Sequence, residues 1–203
     1  MRAAGRRVKG MTTSTTISTG AAVSLVANEV LRAAERTGVA GAARLDRLAE
    51  LIEGAERVFV IGAGRSGLAL RMTAMRLMHL GLAAHVVGDA TAPAIGPGDV
   101  LLTASGSGTT ESIVRAAQRA TAAGARVGLI TAAEESPLSD IAAVSVVVPA
   151  AQKLDRSAAA SAQYAASLFE QVVVIIGDGV FHALWRRQGT SADDIWPRHS
   201  NLE

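Results

Sequence analysis

The sequence predicts an α/β fold: a doubly wound, five-stranded parallel sheet flanked by helices, with a helical hairpin at its N-terminal end. From Arg57 onward, short β-branched runs alternate with helical stretches, which is typical of βαβ units in a parallel sheet. Before Arg57, apolar residues recur at helical spacing instead. The runs expected to form strands are residues 58–61, 84–87, 100–103, 127–130 and 144–148.

The other elements follow in chain order. Residues 1–18 form a basic, hydroxyl-rich tail that we expect to be disordered, and residues 19–203 are expected to form one domain, since 203 residues with 49% hydrophobic content can bury one substantial core. The segment 18–54 predicts two helices, separated near Gly38 and Gly41. A loop and a long helix over about 161–187 are expected after the last strand.

Composition excludes several classes of protein. The richest apolar run, 172–176, lies between Glu170 and Asp178, far short of the roughly 20 residues that cross a bilayer. The basic start MRAAGRRVKG is followed by the polar MTTSTTISTG, without the apolar segment of a secretory signal. We therefore expect a cytoplasmic protein with no membrane partner. Met11 is an alternative start that would remove the basic tail.

Charge and cysteine content point away from nucleic acids and metals. The first ten residues hold four cations and no acid, so the formal net charge of +2 becomes −2 for the remainder, which disfavours binding to a phosphate backbone. The chain has no cysteine, and its four histidines do not have zinc-ligand spacing. Neither a nucleic acid nor a metal ion is expected as a partner.

The stretch VFVIGAGRSGLAL, residues 58–70, places a GxGxxG pattern directly after a strand. Such a loop cradles the pyrophosphate of a dinucleotide, and Asp89 follows at about the 20-residue distance of the ribose-binding acid. Asp89 lies in the sequence GDATAP, where it either contacts a sugar hydroxyl at the mouth of the site or caps its own turn. Arg65, directly after Gly64, either reaches a phosphate or is solvated, and Ser66 can cap the next helix.

A second glycine-rich loop, ASGSGTTES at residues 104–112, follows the third strand. Its glycines let backbone N–H groups close on an anion, its hydroxyls add donors, and the next helix presents its positive end. An ordinary turn and helix cap is the alternative. Two such loops on neighbouring strands favour a bound phosphate over a dinucleotide, whose enzymes need a substrate domain for which this chain has no room. No redox cofactor is expected.

Six segments then occur in a characteristic order: GAGRSG, RLMHLG, VVGDATAP, SGSGTT, SLFEQ and RHSNLE. Together they resemble the sugar isomerase domain family and, within it, the 6-phospho-3-hexuloisomerases. The similarity extends from about Val23 to the last residue. Two positions depart from the family pattern: Thr109 stands where Glu is frequent, and Tyr164-Ala165-Ala166 stands where a Pro-Gly often precedes the SLFE-like stretch.

The resemblance implies an enzyme that interconverts D-arabino-3-hexulose 6-phosphate and D-fructose 6-phosphate through a C2–C3 enediol, without a cofactor. It places the chain in the ribulose monophosphate pathway of formaldehyde fixation, with 3-hexulose-6-phosphate synthase as a possible pathway partner. The physiological direction, fixation or pentose phosphate supply, stays open. The family also suggests a homotetramer, a dimer of dimers with sites at subunit interfaces.

The roles of individual residues follow from the resemblance and from what the chemistry requires, namely a phosphate anchor, a base and donors to an enediolate. Glu170 is the expected base, because loss of water beside Phe169 and the run VVVII favours proton uptake; stabilisation of a helix N-terminus or pairing with an arginine is the alternative. The residues expected to bind substrate are Gly64, Arg65, Ser66, Asp89, Ser105, Gly106, Ser107, Gly108, Thr109, Thr110 and Arg198.

His199 is expected either to transfer the second proton or to polarise the carbonyl, at a site that it reaches across a subunit boundary beside Arg198. A surface histidine on a frayed tail is the alternative. His79 is expected to be packed or at an interface. In the helix expected after the first glycine-rich loop, an apolar stripe at helical spacing is formed by Leu68, Met72, Met75 and Met78. Such a stripe indicates packing in a hydrophobic core, part of it between subunits.

Three other functions compete with this interpretation. An aldose–ketose isomerase of the arabinose 5-phosphate or sedoheptulose 7-phosphate type would move the proton between C1 and C2. A sugar-phosphate sensor would bind without turnover, but the sequence shows no strong recognition-helix pattern for DNA. A dinucleotide enzyme is the least favoured of the three.

Overall fold

The structure, a computed structural model, describes residues 16–151 and 161–202. Residues 1–15 of the tail, which include Met11, lie outside the described residues, as do residues 152–160 and Glu203. The last residue of the predicted tail, Ser18, caps α1 by accepting a hydrogen bond from the N–H of Ala21. The elements in chain order are α1 (Thr19–Ala40), α2 (Ala42–Glu53), β1 (Val58–Gly62), α3 (Gly64–His79), β2 (Ala84–Val86), β3 (Val100–Ala104), α4 (Glu111–Ala122), β4 (Arg126–Thr131), α5 (Pro137–Ile141), β5 (Val144–Val147), α6 (Ser167–Gln188), α7 (Ala192–Ile195) and a short 3₁₀ helix (Trp196–Arg198).

All strand pairs are parallel, and the strand order is β2-β1-β3-β4-β5. The prediction of a doubly wound five-stranded sheet is therefore confirmed. The chain moves outward from β1 to β2 and then returns to the other side of β1 as β3. This reversal makes the carboxyl ends of β1 and β3 the topological switch point, where ligands bind in open α/β sheets.

The sheet separates two hydrophobic clusters. Alternate strand residues such as Val58, Val60 and Leu102 face the larger cluster, which also contains buried residues of α1, α2, α3 and α6. Phe59, Leu101 and their counterparts face the smaller cluster, under α4 and α5. Because both faces are covered, the strands read as continuous apolar runs, which made them recognisable in the sequence.

The N-terminal hairpin divides at one of the two glycines predicted. The N–H of Gly41 donates to the carbonyl of Thr37 and ends α1. Gly38 instead lies inside α1. A Cβ at position 41 would come 2.7 Å from that same carbonyl oxygen, so the tight turn requires glycine there.

Helix α6 begins later than predicted, at Ser167 instead of about residue 161. The turn before it contains Ala165 with φ 52°, a left-handed conformation that interrupts a helix.

By length and composition α6 could cross a membrane, with a mean hydropathy of 1.4 over its most apolar window. Its residues Leu168, Phe169 and Val172 are buried in the larger cluster, and the core helix of a soluble protein passes the same test.

The methionine stripe on α3 is largely exposed, which corrects the expectation of core. Leu68 is 62% exposed, Met72 49%, Met75 48% and Met78 39%, whereas the opposite face of the helix is buried through Leu70 and Leu77 among others. Within one chain, these four side chains have no core to enter.

Candidate active site

A cleft of about 210 Å³ lies at the switch point, beyond the carboxyl ends of β1 and β3. It is formed by three segments far apart in sequence: the loop after β1, the loop after β3 and the turn into α6. The residues that line it are Ala63, Gly64, Ser66, Ala104, Ser105, Gly106, Ser107, Thr110, Ala165, Ala166, Phe169 and Glu170.

The glycines of the first loop bring helix α3 close to strand β1. A Cβ on Gly67 would overlap the carbonyl oxygen of Gly62, so a side chain there would push the helix away from the strand. Gly64 begins α3 with φ 57°. The loop therefore delivers the first turn of α3, with the buried Ser66, directly to the cleft.

The second loop packs against the start of α5 on one side and lines the cleft on the other. Gly108 has φ 65°, and a Cβ there would overlap the side chain of Ser136, so only glycine lets the loop close against α5. The hydroxyls of Ser105 and Thr110 lie 3.2 Å apart. Among the described residues, the N–H groups of Gly106 and Ser107 have no protein acceptor, which leaves two donors for an anion.

Three helices of 12 residues or more begin at this cleft: α3 after Ala63, α4 after Thr110 and α6 after Ala166. Each helix N-terminus carries about half a positive charge and free N–H groups. Their convergence gives the cleft a positive field of fixed dipoles, which stabilises a phosphate group or a developing oxyanion.

The Glu170 carboxylate lies in the first turn of α6, and its side chain is 19% exposed. Its Oε2 is 3.0 Å from Nε of Arg65, whose side chain is 59% exposed, and Arg65 also lies 3.4 Å from the hydroxyl of Ser167. Phe169 beside it is buried, against Gly106. The structure thus combines the expected base with the arginine pairing that was its alternative.

Five predicted substrate ligands are not part of the lining of this cleft, namely Arg65, Asp89, Gly108, Thr109 and Arg198. Asp89 follows β2, and its carboxylate is 3.1 Å from Arg71 Nη2. It borders a separate cavity of about 400 Å³ between the loop after β2 and α4. The exposed Thr109 donates its hydroxyl to the Ser107 Oγ at 2.9 Å, so it orients the loop from outside. Contacts of Asp89 and Thr109 with substrate remain predictions.

His199 and Arg198 lie at the opposite end of α3 from the cleft. The His199 ring stacks on His79, with centroids 4.0 Å apart, and on Trp196 at 4.7 Å. Arg198 donates to the carbonyl of His79 at 3.1 Å. Because a 16-residue helix is about 24 Å long, these side chains do not meet Glu170 of the same chain.

Sequence reasoning missed the turn of Ala165 and Ala166, which forms one wall of the cleft. The departure from the Pro-Gly pattern marked this turn as unusual but did not indicate its conformation. It also missed Glu29 on α1, which binds residues 161–163. No local sequence pattern predicts a contact between residues 132 positions apart.

In residues 16–151 and 161–202, no cluster of three or more metal-ligating side chains occurs.

Known proteins similar to this chain agree with the geometry. The SIS domain model matches residues 51–176, which contain both glycine-rich loops and Glu170. A 3-hexulose-6-phosphate isomerase of Mycobacterium gastri is 55% identical over 147 residues, 72% of this chain and 74% of that protein. A 3-hexulose-6-phosphate isomerase of Bacillus subtilis is 36% identical over 160 residues, 78% of this chain and 86% of that protein.

A solved structure leads to the same group. A crystal structure from Methanococcus jannaschii, for which a molecular function of 3-hexulose-6-phosphate isomerase was inferred, superposes with a TM-score of 0.75 and 28% identity. The match covers 90% of this chain and 99% of that one. The chain therefore belongs to the SIS domain family and, within it, to the 6-phospho-3-hexuloisomerases.

Proposed function

We propose that the chain is a sugar-phosphate isomerase that interconverts D-arabino-3-hexulose 6-phosphate and D-fructose 6-phosphate in the ribulose monophosphate pathway of formaldehyde fixation. Its similarity to two 3-hexulose-6-phosphate isomerases supports the substrate class. The observation that carries the chemistry is the placement of the Glu170 carboxylate in the same cleft as the SGSG loop and three helix N-termini. A base and an anion site therefore face one small volume.

In the proposed mechanism, the 6-phosphate binds to the N–H groups of Gly106 and Ser107 and to the hydroxyls of Ser105 and Thr110. Glu170 takes the proton from C2 of the 3-ketose, and the electron pair forms the C2–C3 enediolate while negative charge develops on O3. The proton of the O2 hydroxyl then passes to O3, so that the negative charge moves to O2. The same carboxyl group delivers its proton to C3, and the electron pair on O2 forms the carbonyl at C2. Proton and electron count balance without an external oxidant or reductant.

Arg65 supplies positive charge to this sequence of steps. Its guanidinium lies 3.0 Å from Glu170 in the free protein and reaches the edge of the cleft. Substrate adds a second anion, the phosphate or the enediolate oxygen, with which the five N–H donors of the guanidinium can pair. The arginine would stabilise charge as it moves from the carboxylate to the sugar oxygens.

Proton NMR of fructose 6-phosphate with the protein in D₂O tests the proposal. Loss of the C3 proton signal with a small pool of a 3-ketose is expected, and Glu170→Gln should reduce that exchange by about 10²- to 10⁴-fold, the usual contribution of a general base. The matched control is Glu111→Gln, whose carboxylate is exposed at the start of α4 and pairs with Arg115.

Other outcomes would lead to different assignments. Exchange at C1 would identify an aldose–ketose isomerase of the arabinose 5-phosphate or sedoheptulose 7-phosphate type. If no carbon exchanges while fructose 6-phosphate still raises the melting temperature, the protein is a sugar-phosphate sensor. NAD or NADP should give no thermal stabilisation.

The proposal includes a cytoplasmic homotetramer in which His199 acts in a neighbouring subunit. Two observations support association: four exposed apolar side chains lie along α3, and His199 is distant from the cleft of its own chain. Analytical ultracentrifugation should show a tetramer, and Met72→Glu should dissociate it. His199→Ala should lower kcat, and mixing with Glu170→Gln protein should restore activity only if a site combines two chains.

A further inference from the structure

One side chain on the N-terminal hairpin binds the segment that leads into the catalytic helix. The carboxylate of Glu29, on α1, accepts hydrogen bonds from the hydroxyl of Ser161 at 2.7 Å, the N–H of Ala162 at 2.8 Å and the side-chain amide of Gln163 at 3.1 Å. The Ser161 hydroxyl in turn accepts the N–H of Gln163 at 3.0 Å. Three consecutive residues are thus tied to one carboxylate.

The tied segment continues directly into the wall of the cleft. Ala165 adopts φ 52°, and Ala166 caps α6. The far side of the turn is fixed to the helix, because Ser167 donates to the carbonyl of Tyr164 through both its N–H, at 3.2 Å, and its hydroxyl, at 2.8 Å. Hydrogen bonds therefore hold both ends of the short segment that connects residues 161–163 with the first turn of α6, which carries Glu170.

Glu29 is suited to this task because it stays ionised. Burial by itself would raise its pKa, but the hydrogen bonds from Ala162, Ser161 and Gln163, together with the nearby charge of Arg32, hold the pKa below its usual value. Hydrogen bonds to an ionised carboxylate are roughly twice as strong as neutral ones. The anchor is therefore present throughout the neutral pH range.

We propose that Glu29 is a positioning residue for Glu170: by holding residues 161–163 it fixes the turn at 164–166, and with it the first turn of α6 and the catalytic carboxylate. Glu29 lines no part of the cleft, so it acts only through the turn. The inference rests on the proposed function for the role of Glu170 as base, but the anchoring itself can be measured without it.

Kinetics of matched variants test the positioning. Because a displacement of about 1 Å can cost about 100-fold in rate, Glu29→Ala should lower kcat by about that factor and change KM less than about twofold, since the phosphate loops are untouched. Glu29→Gln keeps one acceptor oxygen and should recover part of the loss. Ser161→Ala removes one of the three bonds to Glu29, together with the bond from the Gln163 N–H, and should fall between Glu29→Gln and the wild type.

The control is Glu35→Gln. Glu35 lies on the same helix as Glu29, but its carboxylate is exposed and makes none of these contacts. Its kcat and KM should equal those of the wild type. Rates are measured well below each melting temperature and per folded protein, so that loss of stability alone leaves kcat unchanged. A merely structural role for Glu29 would lower the melting temperature without lowering kcat.

Amide hydrogen exchange separates failure of this inference from failure of the proposed function. In the free protein, Glu29→Ala and Glu29→Gln should accelerate exchange in residues 161–167 by about tenfold or more, while residues 62–70 and 104–112 exchange as in the wild type. Unchanged exchange, or unchanged kcat in an active enzyme, overturns the positioning role. An inactive wild type with accelerated exchange in the variants overturns the isomerase proposal and leaves the anchoring of this turn in place.

Discussion

Nε of Arg65 lies 3.0 Å from Oε2 of Glu170, so the expected base and the cation nearest to it already form a pair in the free cleft. The pair joins the first turns of α3 and α6, two helices that begin at the same switch point. Because the arginine is mostly exposed and the glutamate mostly buried, the arginine is the partner that is free to turn toward an entering anion.

This geometry predicts that Arg65→Ala reduces kcat/KM by about 10- to 150-fold, which corresponds to loss of one charged hydrogen bond of about 1.5–3 kcal/mol. Arg65→Lys should recover only part of the loss, because an ammonium group lacks the planar fork of the guanidinium. Steady-state kinetics with fructose 6-phosphate would measure both. Arg115→Ala, which breaks an exposed pair with Glu111 on α4, is the control. Activity of Arg65→Ala within threefold of the wild type would contradict a role in catalysis.

The positive φ of Ala165 predicts a gain in stability on substitution by glycine. The left-handed conformation costs a residue with a Cβ about 1 kcal/mol, and glycine adopts it freely. Ala165→Gly should therefore raise the melting temperature by about 2–4 °C. The neighbouring Ala166→Gly, where φ is −91°, should lower it. Differential scanning calorimetry of the two variants measures both melting temperatures. Equal changes in melting temperature at the two positions would be incompatible with strain at Ala165.

The buried carboxylate of Asp99 predicts a loss of stability in acid. It accepts bonds from Arg57 at 2.9 and 2.6 Å and from the N–H of Gly96 at 2.7 Å. Burial opposes the charged form, but the bonds from Arg57 and Gly96 outweigh it and lower the pKa. The unfolded chain, with an aspartate pKa of about 3.9, then binds more protons, so this contribution is complete above that pH and declines as the pH falls below it.

Urea unfolding between pH 3 and 7 measures this effect. Asp99→Asn should reduce the free energy of unfolding at pH 7 by about 2–3 kcal/mol. It should also make the free energy of unfolding fall less steeply between about pH 4 and 3, the acid limb of the profile. Asp46→Asn removes a carboxylate that is 70% exposed and 3.7 Å from Arg187, so it should leave the profile unchanged. An acid limb of wild-type steepness in Asp99→Asn would assign the acid sensitivity to other carboxylates.

The stack of His79 on His199 predicts that the C-terminal segment detaches in mild acid. Burial, reinforced by the nearby His199 and Arg76, lowers the pKa of His79. While the C-terminal segment is docked, the His79 ring therefore stays neutral. When the segment is released, His79 can take up a proton near pH 6.5, the ordinary pKa of histidine. Docking is strongest above that value and weakens as the pH falls below it.

Fluorescence of Trp196, which stacks on His199, reports the docking in a Trp185→Phe background. The signal should change between about pH 7 and 5. His79→Gln cannot titrate, so it should remove most of that change. A transition of the same size and midpoint in the glutamine variant would exclude His79 as its cause.

The positions of the strands could be read from the sequence because buried parallel strands require unbroken β-branched runs, and each run has its own local signal. The two anion loops were recognisable for the same reason, since glycine is demanded by close approach at Gly67 and by positive φ at Gly108. The start of α6 was misplaced. The stretch SAQYAAS is rich in helix-forming alanine, yet its contacts with Glu29 and the turn at Ala165 override that propensity.

Residues of the two loops and Glu170, which the sequence proposed as site residues, lie in one cleft, but the sequence did not indicate their geometry. Glu170 and the SGSG loop meet because of strand order, which the alternation of elements already implied. The pairing of Arg65 with Glu170, the exposure of the α3 methionines and the stacking of His199 on His79 depend on side-chain packing between distant segments. No spacing within the sequence encodes these contacts.

The bonds between Glu29 and residues 161–163 also bear on the biosynthesis of the enzyme. The hairpin and the whole sheet leave the ribosome before α6, and a sequence separation of 132 residues makes this contact one of the last to form. Until then the surfaces of α1, α2 and α3 against which α6 packs are bare, and their apolar residues are open to chaperones or to other nascent chains. A nascent chain of this enzyme acquires its anion loops early, whereas its base arrives only with the final quarter of translation.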